Sequence, residues 1–95
     1  MGVARKISKG NASTVRKMHR IRFVGPKNNV SMGMLAERLI GLNLIEEAYV
    51  DVSENDFVAK VWFVAGRMPK YPSSYIAKYL SKDFGKVTSN YQYKR

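Results

Sequence analysis

The fold is decided by residues 48–63, which read AYVDVSENDFVAKVWF. Small apolar residues alternate with polar or aromatic ones over 48–52, and the alternation resumes over 59–63. A period of two residues is typical of strands that bury one face and expose the other. Because the turn-forming run SEND at 53–56 separates the two segments, the stretch predicts a β-hairpin.

A strand and a helix are predicted on the N-terminal side of this hairpin. Over residues 19–24 the apolar Ile21 and Phe23 alternate with arginines, which predicts a half-buried strand. The run GPKNN at 25–29 breaks that strand. Leucines at helical spacing then predict a helix over 31–42, capped by Ser31 and ended by Gly41 or Asn43.

A second helix and a last strand are predicted on the C-terminal side. A proline-containing loop over 66–72 is followed by an apolar stripe with helical spacing that runs from Ile76 to Phe84. Ser73 or Ser74 is predicted to cap this helix, and Gly85 to end it. Residues 86–93 alternate as a strand.

The resulting order, β-α-β-β-α-β, predicts an α+β ferredoxin-like sandwich. In this fold class two helices cover one face of a four-stranded antiparallel sheet. Residues 18–95 are predicted to form this single α+β domain, and residues 1–17 a flexible basic N-terminal arm. The uncovered sheet face is predicted to carry Arg20, Arg22, Tyr49, Lys60 and Trp62.

Charge is segregated along the chain, which has 17 Lys or Arg, seven Asp or Glu and a formal net charge of +10. The first 36 residues contain no acidic residue, whereas six of the seven acidic residues fall in 37–56. Positive charge of this density repels itself unless a polyanion neutralises it, and nucleic acid is the commonest polyanion. The acidic 53–56 turn is therefore expected to face away from a nucleic acid, and the arm and second helix toward it.

The sequence favours no enzyme, cofactor or metal. The chain has no cysteine, which excludes thiolate metal sites and disulfides. His19 is the single histidine, with basic neighbours that are expected to depress its pKa, and no orienting carboxylate is adjacent to it. The carboxylates of the hairpin fit a solvated surface better than a cation site. No apolar run is long enough to cross a membrane, and no small-molecule substrate is indicated.

Basic residues interleaved with aromatic ones indicate RNA, in which phosphates take the charge and exposed bases stack on rings. Lys78 and Lys82 lie four residues apart on the predicted outer face of the second helix. The full set of predicted RNA contacts is Arg5, Lys6, Lys9, Arg16, Lys17, Arg20, Arg22, Lys27, Lys78, Lys82, Lys86, Lys94 and Arg95.

The run KYLSKDF at 78–84, preceded by Pro72, resembles the helix of the eukaryote-type large-subunit ribosomal protein twenty-two family. That resemblance implies a small ribosomal protein held by rRNA, with Lys78, Lys82 and Lys86 facing phosphates. The element order is also similar to that of heavy-metal-associated ferredoxin-like domains. Their function requires a Cys-x-x-Cys loop before the first helix, and residues 26–33 contain no cysteine.

The sequence therefore predicts a non-enzymatic RNA-binding protein, a structural component of the ribosome or another ribonucleoprotein. The expected partners are rRNA and neighbouring ribosomal proteins, and the expected location is the ribosome in the cytoplasm. An organelle remains an alternative location, because residues 1–18 are basic and acid-free like a transit peptide. A protein-interaction module, a dimerising ferredoxin-like domain and a DNA-binding protein remain alternative functions.

Overall fold

The structure is a computed structural model that describes residues 2–6 and 18–89. The elements in chain order are β1 (Val3–Lys6), β2 (Met18–Val24), α1 (Met32–Ile40), β3 (Ile45–Ser53), β4 (Asp56–Phe63), α2 (Pro72–Phe84) and β5 (Lys86–Ser89). No helix in these two ranges is long and apolar enough to cross a membrane.

The strands form one sheet with the order β1-β3-β4-β2-β5, and every neighbouring pair is antiparallel. Helix α1 connects β2 to β3, and helix α2 connects β4 to β5. Without β1, the remaining order β3-β4-β2-β5 is that of the ferredoxin-like α+β fold. The fold class predicted from the sequence is therefore confirmed.

Strand β1 is an addition that the sequence analysis did not predict, because it placed residues 3–6 in a flexible arm. These residues extend the sheet beyond β3, with Val3 opposite Val50 and Lys6 opposite Glu47. Four residues are too few for a period of two to be recognisable, and the pairing depends on the backbone groups that the edge of β3 offers. The rest of the arm, residues 7–17, lies outside the described residues.

The hairpin between β3 and β4 has the predicted position. Ser53 pairs with Asp56, so the turn itself consists of Glu54 and Asn55. Glu54 has a φ of 60°, the left-handed conformation that two-residue hairpin turns require at their first central position. The predicted hairpin is therefore confirmed, and its turn places Glu54 and Asp56 at one end of the sheet, whereas Glu46 and Glu47 lie at the other end of β3.

Helix α1 also begins and ends as predicted. The Ser31 hydroxyl accepts a 3.2 Å hydrogen bond from the Met34 backbone N–H, which satisfies one of the free amides of the first turn. Gly41 follows the last helical residue. Leu35 and Leu39 are fully buried against the sheet, as the leucine spacing predicted.

The predicted serine cap of α2 is wrong. Tyr71 is the N-cap residue and makes no side-chain capping bond, while Ser73 and Ser74 lie inside the helix. Pro72 explains the earlier start, because its fixed φ suits the first helical position, where no N–H is needed. Gly85 ends the helix as predicted, with a φ of 97°. The predicted last strand is described from Lys86 to Ser89, and Tyr91 and Tyr93 lie outside the described residues.

Both helices cover the same face of the sheet. Leu39 of α1 and Phe84 of α2 belong to one buried cluster with Ile21, Phe23 and other inward-facing strand residues. The rings of Phe23 and Phe84 meet edge to face, with centroids 6.4 Å apart. Burial of each large apolar side chain contributes about 1.5–3 kcal/mol. The core thus accounts for one sheet face, and no helix within residues 18–89 lies over the other face.

Candidate nucleic-acid interface

The face of the sheet opposite the helices, here called the outer sheet face, carries alternate residues of each strand. On β2 the inward Ile21 and Phe23 are fully buried, whereas Arg20 and Arg22 remain partly exposed. On β4 the same alternation leaves Lys60 exposed and Trp62 partly exposed. The outward positions predicted from the alternation are therefore confirmed.

Strand pairing brings these outward residues together in rows. Arg20 lies opposite Lys60, and Lys60 lies opposite Tyr49 on the next strand. The Lys60 Nζ atom stands 5.8 Å from the centroid of the Tyr49 ring, close enough for a cation–π contact. In the adjacent row Trp62 lies between Met18 and Glu47. Two cations and two aromatic rings therefore lie in two neighbouring outward-facing rows of this face.

A shallow cavity of about 360 Å³ opens on the outer sheet face. Its lining includes Arg20, Tyr49, Asp51 and Lys60. Two cations, an aromatic ring and a carboxylate thus surround one concave site on three neighbouring strands. Its volume lies at the lower end of the range for small-molecule sites, about 300–1,000 Å³.

Arg22 has a different environment from Arg20. Its Nε atom donates a 2.8 Å hydrogen bond to Asp56 Oδ2, and the two side chains keep 26% and 18% of their exposed area. Asp56 Oδ1 also accepts a 3.1 Å hydrogen bond from the Gly25 N–H. The Arg22 hydrogen bond, followed by that of Gly25, lowers the pKa of the Asp56 carboxyl below its usual value. Arg22 was predicted to contact phosphate, but one N–H of its guanidinium group is already bonded to Asp56.

The predicted contacts on α2 lie on the other side of the molecule. Lys78 and Lys82 are exposed and point away from the buried Ile76 and Leu80, so they face outward from the helix layer. The Lys78 Nζ atom stands 5.6 Å from the Tyr79 ring centroid. The sheet separates these lysines from the outer sheet face, so the predicted contacts do not form one continuous surface.

Strand pairing defines the two ends of the sheet. We call the end at which β1 finishes and β2 begins the arm end. One row of paired residues crosses the sheet there, in the order Lys6, Glu47, Trp62 and Met18. β5 runs from Lys86, opposite Val24, to Ser89, opposite Ile21, and so also points toward the arm end.

The chain outside the described residues joins the fold at these points and is acid-free. Residues 7–17 and 90–95 contain five of the predicted RNA contacts and no Asp or Glu. Those five residues are Lys9, Arg16, Lys17, Lys94 and Arg95. Arg5 and Lys6 belong to β1, the edge strand that leads into the first of these segments.

The opposite end, called the turn end, holds the acidic hairpin turn with Glu54 and Asp56. Lys86 lies there too. It pairs with Val24, and the next residue, Gly25, donates its backbone N–H to Asp56. Lys27 is also nearby: its backbone N–H donates to the Asp83 carbonyl in the last turn of α2 over 3.4 Å. Several predicted contacts therefore neighbour the acidic residues that were expected to lie away from phosphate.

His19 lines a second cavity, of about 370 Å³, with Lys70, Ser73 and Ser89 at the start of α2. The Ser73 and Ser89 hydroxyl oxygens are 2.8 Å apart and share a hydrogen bond. Burial lowers the pKa of His19. The direction matches the expectation, but the cause is burial rather than neighbouring cations. The described lining contains no carboxylate that could orient the imidazole as a general base.

A metal site is not found in the described ranges: no three His, Cys, Asp or Glu side chains there are placed to hold an ion.

Lys60, Trp62 and Tyr49 were predicted on the outer sheet face but were not included among the predicted contacts. The signal that could have included them is their alternation with buried residues on the central strands.

No protein-family model, curated protein or solved structure matches this chain.

Proposed function

We propose that this chain is an RNA-binding protein and a structural, non-enzymatic component of a ribonucleoprotein such as the ribosome. The observation that carries the proposal is the pair of cations Arg20 and Lys60, side by side on the outer sheet face near the points at which two basic, acid-free segments join the sheet. The acid-free residues 7–17 connect the end of β1 to the start of β2, both at the arm end. The acid-free residues 90–95 follow β5, which points toward the same end. Arg20 and Lys60 lie in the row next to that end, on the outer sheet face.

Phosphate binding explains why such an arrangement is useful. Each neutralised phosphate releases a counterion, so separate cations that reach one backbone add to the affinity. The acidic turn lies at the other end of the sheet, where it would not repel the same backbone. The resemblance of residues 78–84 to a ribosomal protein helix is consistent with this class of partner. Lys78 and Lys82 lie on the other side of the sheet, so they would contribute less to the binding of the same RNA and are available for a neighbouring protein.

The test is the dependence of RNA affinity on salt for the full chain and for two matched double variants. Arg20→Gln/Lys60→Gln removes two charges next to the arm end, and Lys82→Gln/Lys86→Gln removes two at the turn end. For the full chain, four or five phosphate contacts predict a slope of log affinity against log salt of about −3. The first variant is expected to weaken binding at least about tenfold, and the second much less.

Three results would contradict the proposal. A slope near zero would exclude phosphate contacts as the source of affinity. Equal losses in both double variants would mean that only bulk charge matters. Tighter binding to duplex DNA than to structured RNA in a direct competition would assign the protein to DNA instead. The ribosomal setting is tested separately, by ultraviolet crosslinking of the tagged chain in its own cells, where rRNA is the expected crosslinked RNA.

A further inference from the structure

The middle strand of the sheet carries the only tryptophan of the chain, near the arm end of the outer sheet face. Trp62 lies on β4, the middle strand of the five, and its side chain is partly exposed. Its neighbour in the same row, Met18, keeps 38% of its exposed area. An indole and a thioether side by side on the surface form an apolar patch at the arm end of the sheet.

Cations border this patch on one side. Lys60 lies two residues before Trp62 on the same strand face, about 7 Å away along the strand. Arg20 lies opposite Lys60 and two residues after Met18. The carboxylates of this face that belong to β3, Glu47 and Asp51, lie beyond β4 on the other side. A polyanion is therefore directed along β4 and β2 rather than over β3.

The chemistry of such a patch suits unpaired bases. Every base presents a flat aromatic face, and stacking on an aromatic side chain contributes affinity without regard to sequence. Bases inside a duplex are already stacked on each other, so a tryptophan on a sheet cannot reach their faces. The adjacent cavity of about 360 Å³, which Arg20, Tyr49 and Lys60 help to line, has the size of a small-ligand site rather than of a groove for a double helix.

We propose that the outer sheet face is a platform for single-stranded RNA, on which one base stacks on Trp62 while Arg20 and Lys60 bind the flanking phosphates. This inference rests on the proposed function, and it specifies the form of RNA and the residue that contacts a base. The side chain of Trp62 also interacts with the rest of the protein, so the base would stack on the part of the indole that its partial exposure leaves open.

The single tryptophan makes the test direct, since all indole fluorescence of the chain comes from Trp62. The probe is a ten-nucleotide RNA without self-complementarity, compared with the same sequence annealed to its complement and with inorganic polyphosphate. Single-stranded RNA is expected to quench the fluorescence to saturation. Polyphosphate is expected to compete for the cations without causing that quenching, because it has no bases.

Variants separate stacking from charge. Trp62→Ala is expected to weaken binding of the single-stranded RNA by about 5- to 100-fold, the range of one stacked base. Trp62→Phe keeps an aromatic ring and is expected to retain most of the affinity, measured by anisotropy of a labelled RNA. A loss of affinity in Trp62→Ala but not in Trp62→Phe therefore indicates lost stacking. Circular dichroism of both variants checks that neither substitution damages the fold.

The outcomes distinguish this inference from the function beneath it. If RNA binds with the expected salt dependence but the fluorescence and the affinity of Trp62→Ala do not change, the platform is excluded and RNA binding stands. If the duplex binds more tightly than the single strand, or single-stranded DNA more tightly than RNA, the proposed ligand is wrong. If Trp62→Ala changes the oligomeric state in sedimentation instead of the RNA affinity, the face binds a second copy of the chain. If no RNA binds, both proposals fail.

Discussion

Arg22 and Asp56 connect the first strand of the ferredoxin-like core to the hairpin turn. The Arg22 Nε atom donates to Asp56 Oδ2 over 2.8 Å, although the residues are 34 positions apart. The other oxygen of Asp56 accepts from the Gly25 N–H. One carboxylate thus holds the exit of β2 against the start of β4, and its charge should matter for the stability of the domain.

Asp56→Asn is therefore expected to lower the melting temperature and to flatten its dependence on pH in acid. The folded-state pKa of Asp56 is lower than its unfolded value of 3.8. The stabilisation is fully present above pH 3.8 and is lost as the pH falls below that value. Thermal melts between pH 2.5 and 7 measure the effect. Glu54→Gln in the same turn is the control, and an acid dependence of Asp56→Asn equal to that of the wild type would contradict the prediction.

His19 should lower stability in the same direction, as the pH falls, but near neutral pH rather than in acid. Burial lowers its folded-state pKa, so below pH 6.5 the unfolded chain takes up a proton that the folded chain does not. Stability is expected to decrease as the pH falls from about 7.5 through 6.5. Because the chain has one histidine, an NMR titration of its imidazole reads the pKa directly. A midpoint at or above 6.5 would contradict the prediction.

The hairpin and both helices could be predicted because their periodicity is local. Ser31 caps α1 as predicted, since a cap needs only its own first turn. The start of α2 was wrong by two or three residues because Pro72 competes with the serines for the first turn. Strand β1 could not be predicted, because its partner is the edge of β3, more than forty positions away.

The candidate interface was predictable to the same extent. Alternation places Arg20 on the outer sheet face, and helical spacing places Lys78 on the outside of α2. The predicted fold, with both helices on one sheet face, already implies that these two faces lie on opposite sides of the sheet, and the structure has them there. The sequence does not indicate that Asp56 binds Arg22, because the contact forms only after β2 and β4 have paired.

Two glycines in this fold should respond in opposite directions to alanine. Gly85 has a φ of 97°, and an added Cβ would overlap the Val24 carbonyl oxygen. Gly85→Ala is expected to cost at least about 1–3 kcal/mol, the range for a strained backbone. Gly33 lies in α1 with only the Ser31 hydroxyl near its Cβ position, so Gly33→Ala is expected to stabilise by up to about 1 kcal/mol. Urea unfolding of the pair measures both values, and equal signs would contradict the account.

The edge-to-face contact of Phe84 with Phe23 predicts that truncation of Phe84 greatly lowers the free energy of unfolding. Phe84 is fully buried, so Phe84→Ala is expected to destabilise the domain by about 3–5 kcal/mol. Tyr79 on the same helix keeps 49% of its exposed area and is the control. Tyr79→Ala should cost about 1 kcal/mol or less, mainly through its contact with the Tyr75 ring. Comparable losses in the two variants would show that Phe84 is not a core residue.

Strand β1 predicts a local rather than a global effect when it is removed. The ferredoxin-like core of four strands and two helices is complete without it, so deletion of residues 1–6 should leave the domain folded. It would leave the outward backbone groups of β3 from Glu47 to Val50 without partners, and it would remove Gly2 from its close approach to the Tyr49 ring. Hydrogen exchange should therefore speed up at the β3 amides that point toward β1 and remain slow on β4.

Deletion of residues 90–95 is the matched control for this experiment, because it also removes two basic residues, and the deleted segment follows β5, which pairs with β2 at the other edge of the sheet. Exchange at residues 47–50 should then equal that of the full chain. If deletion of residues 1–6 leaves the same amides equally protected, β1 does not pair with β3 in solution. If it unfolds the domain instead, β1 is part of the cooperative core, and the four-stranded sheet is not stable by itself.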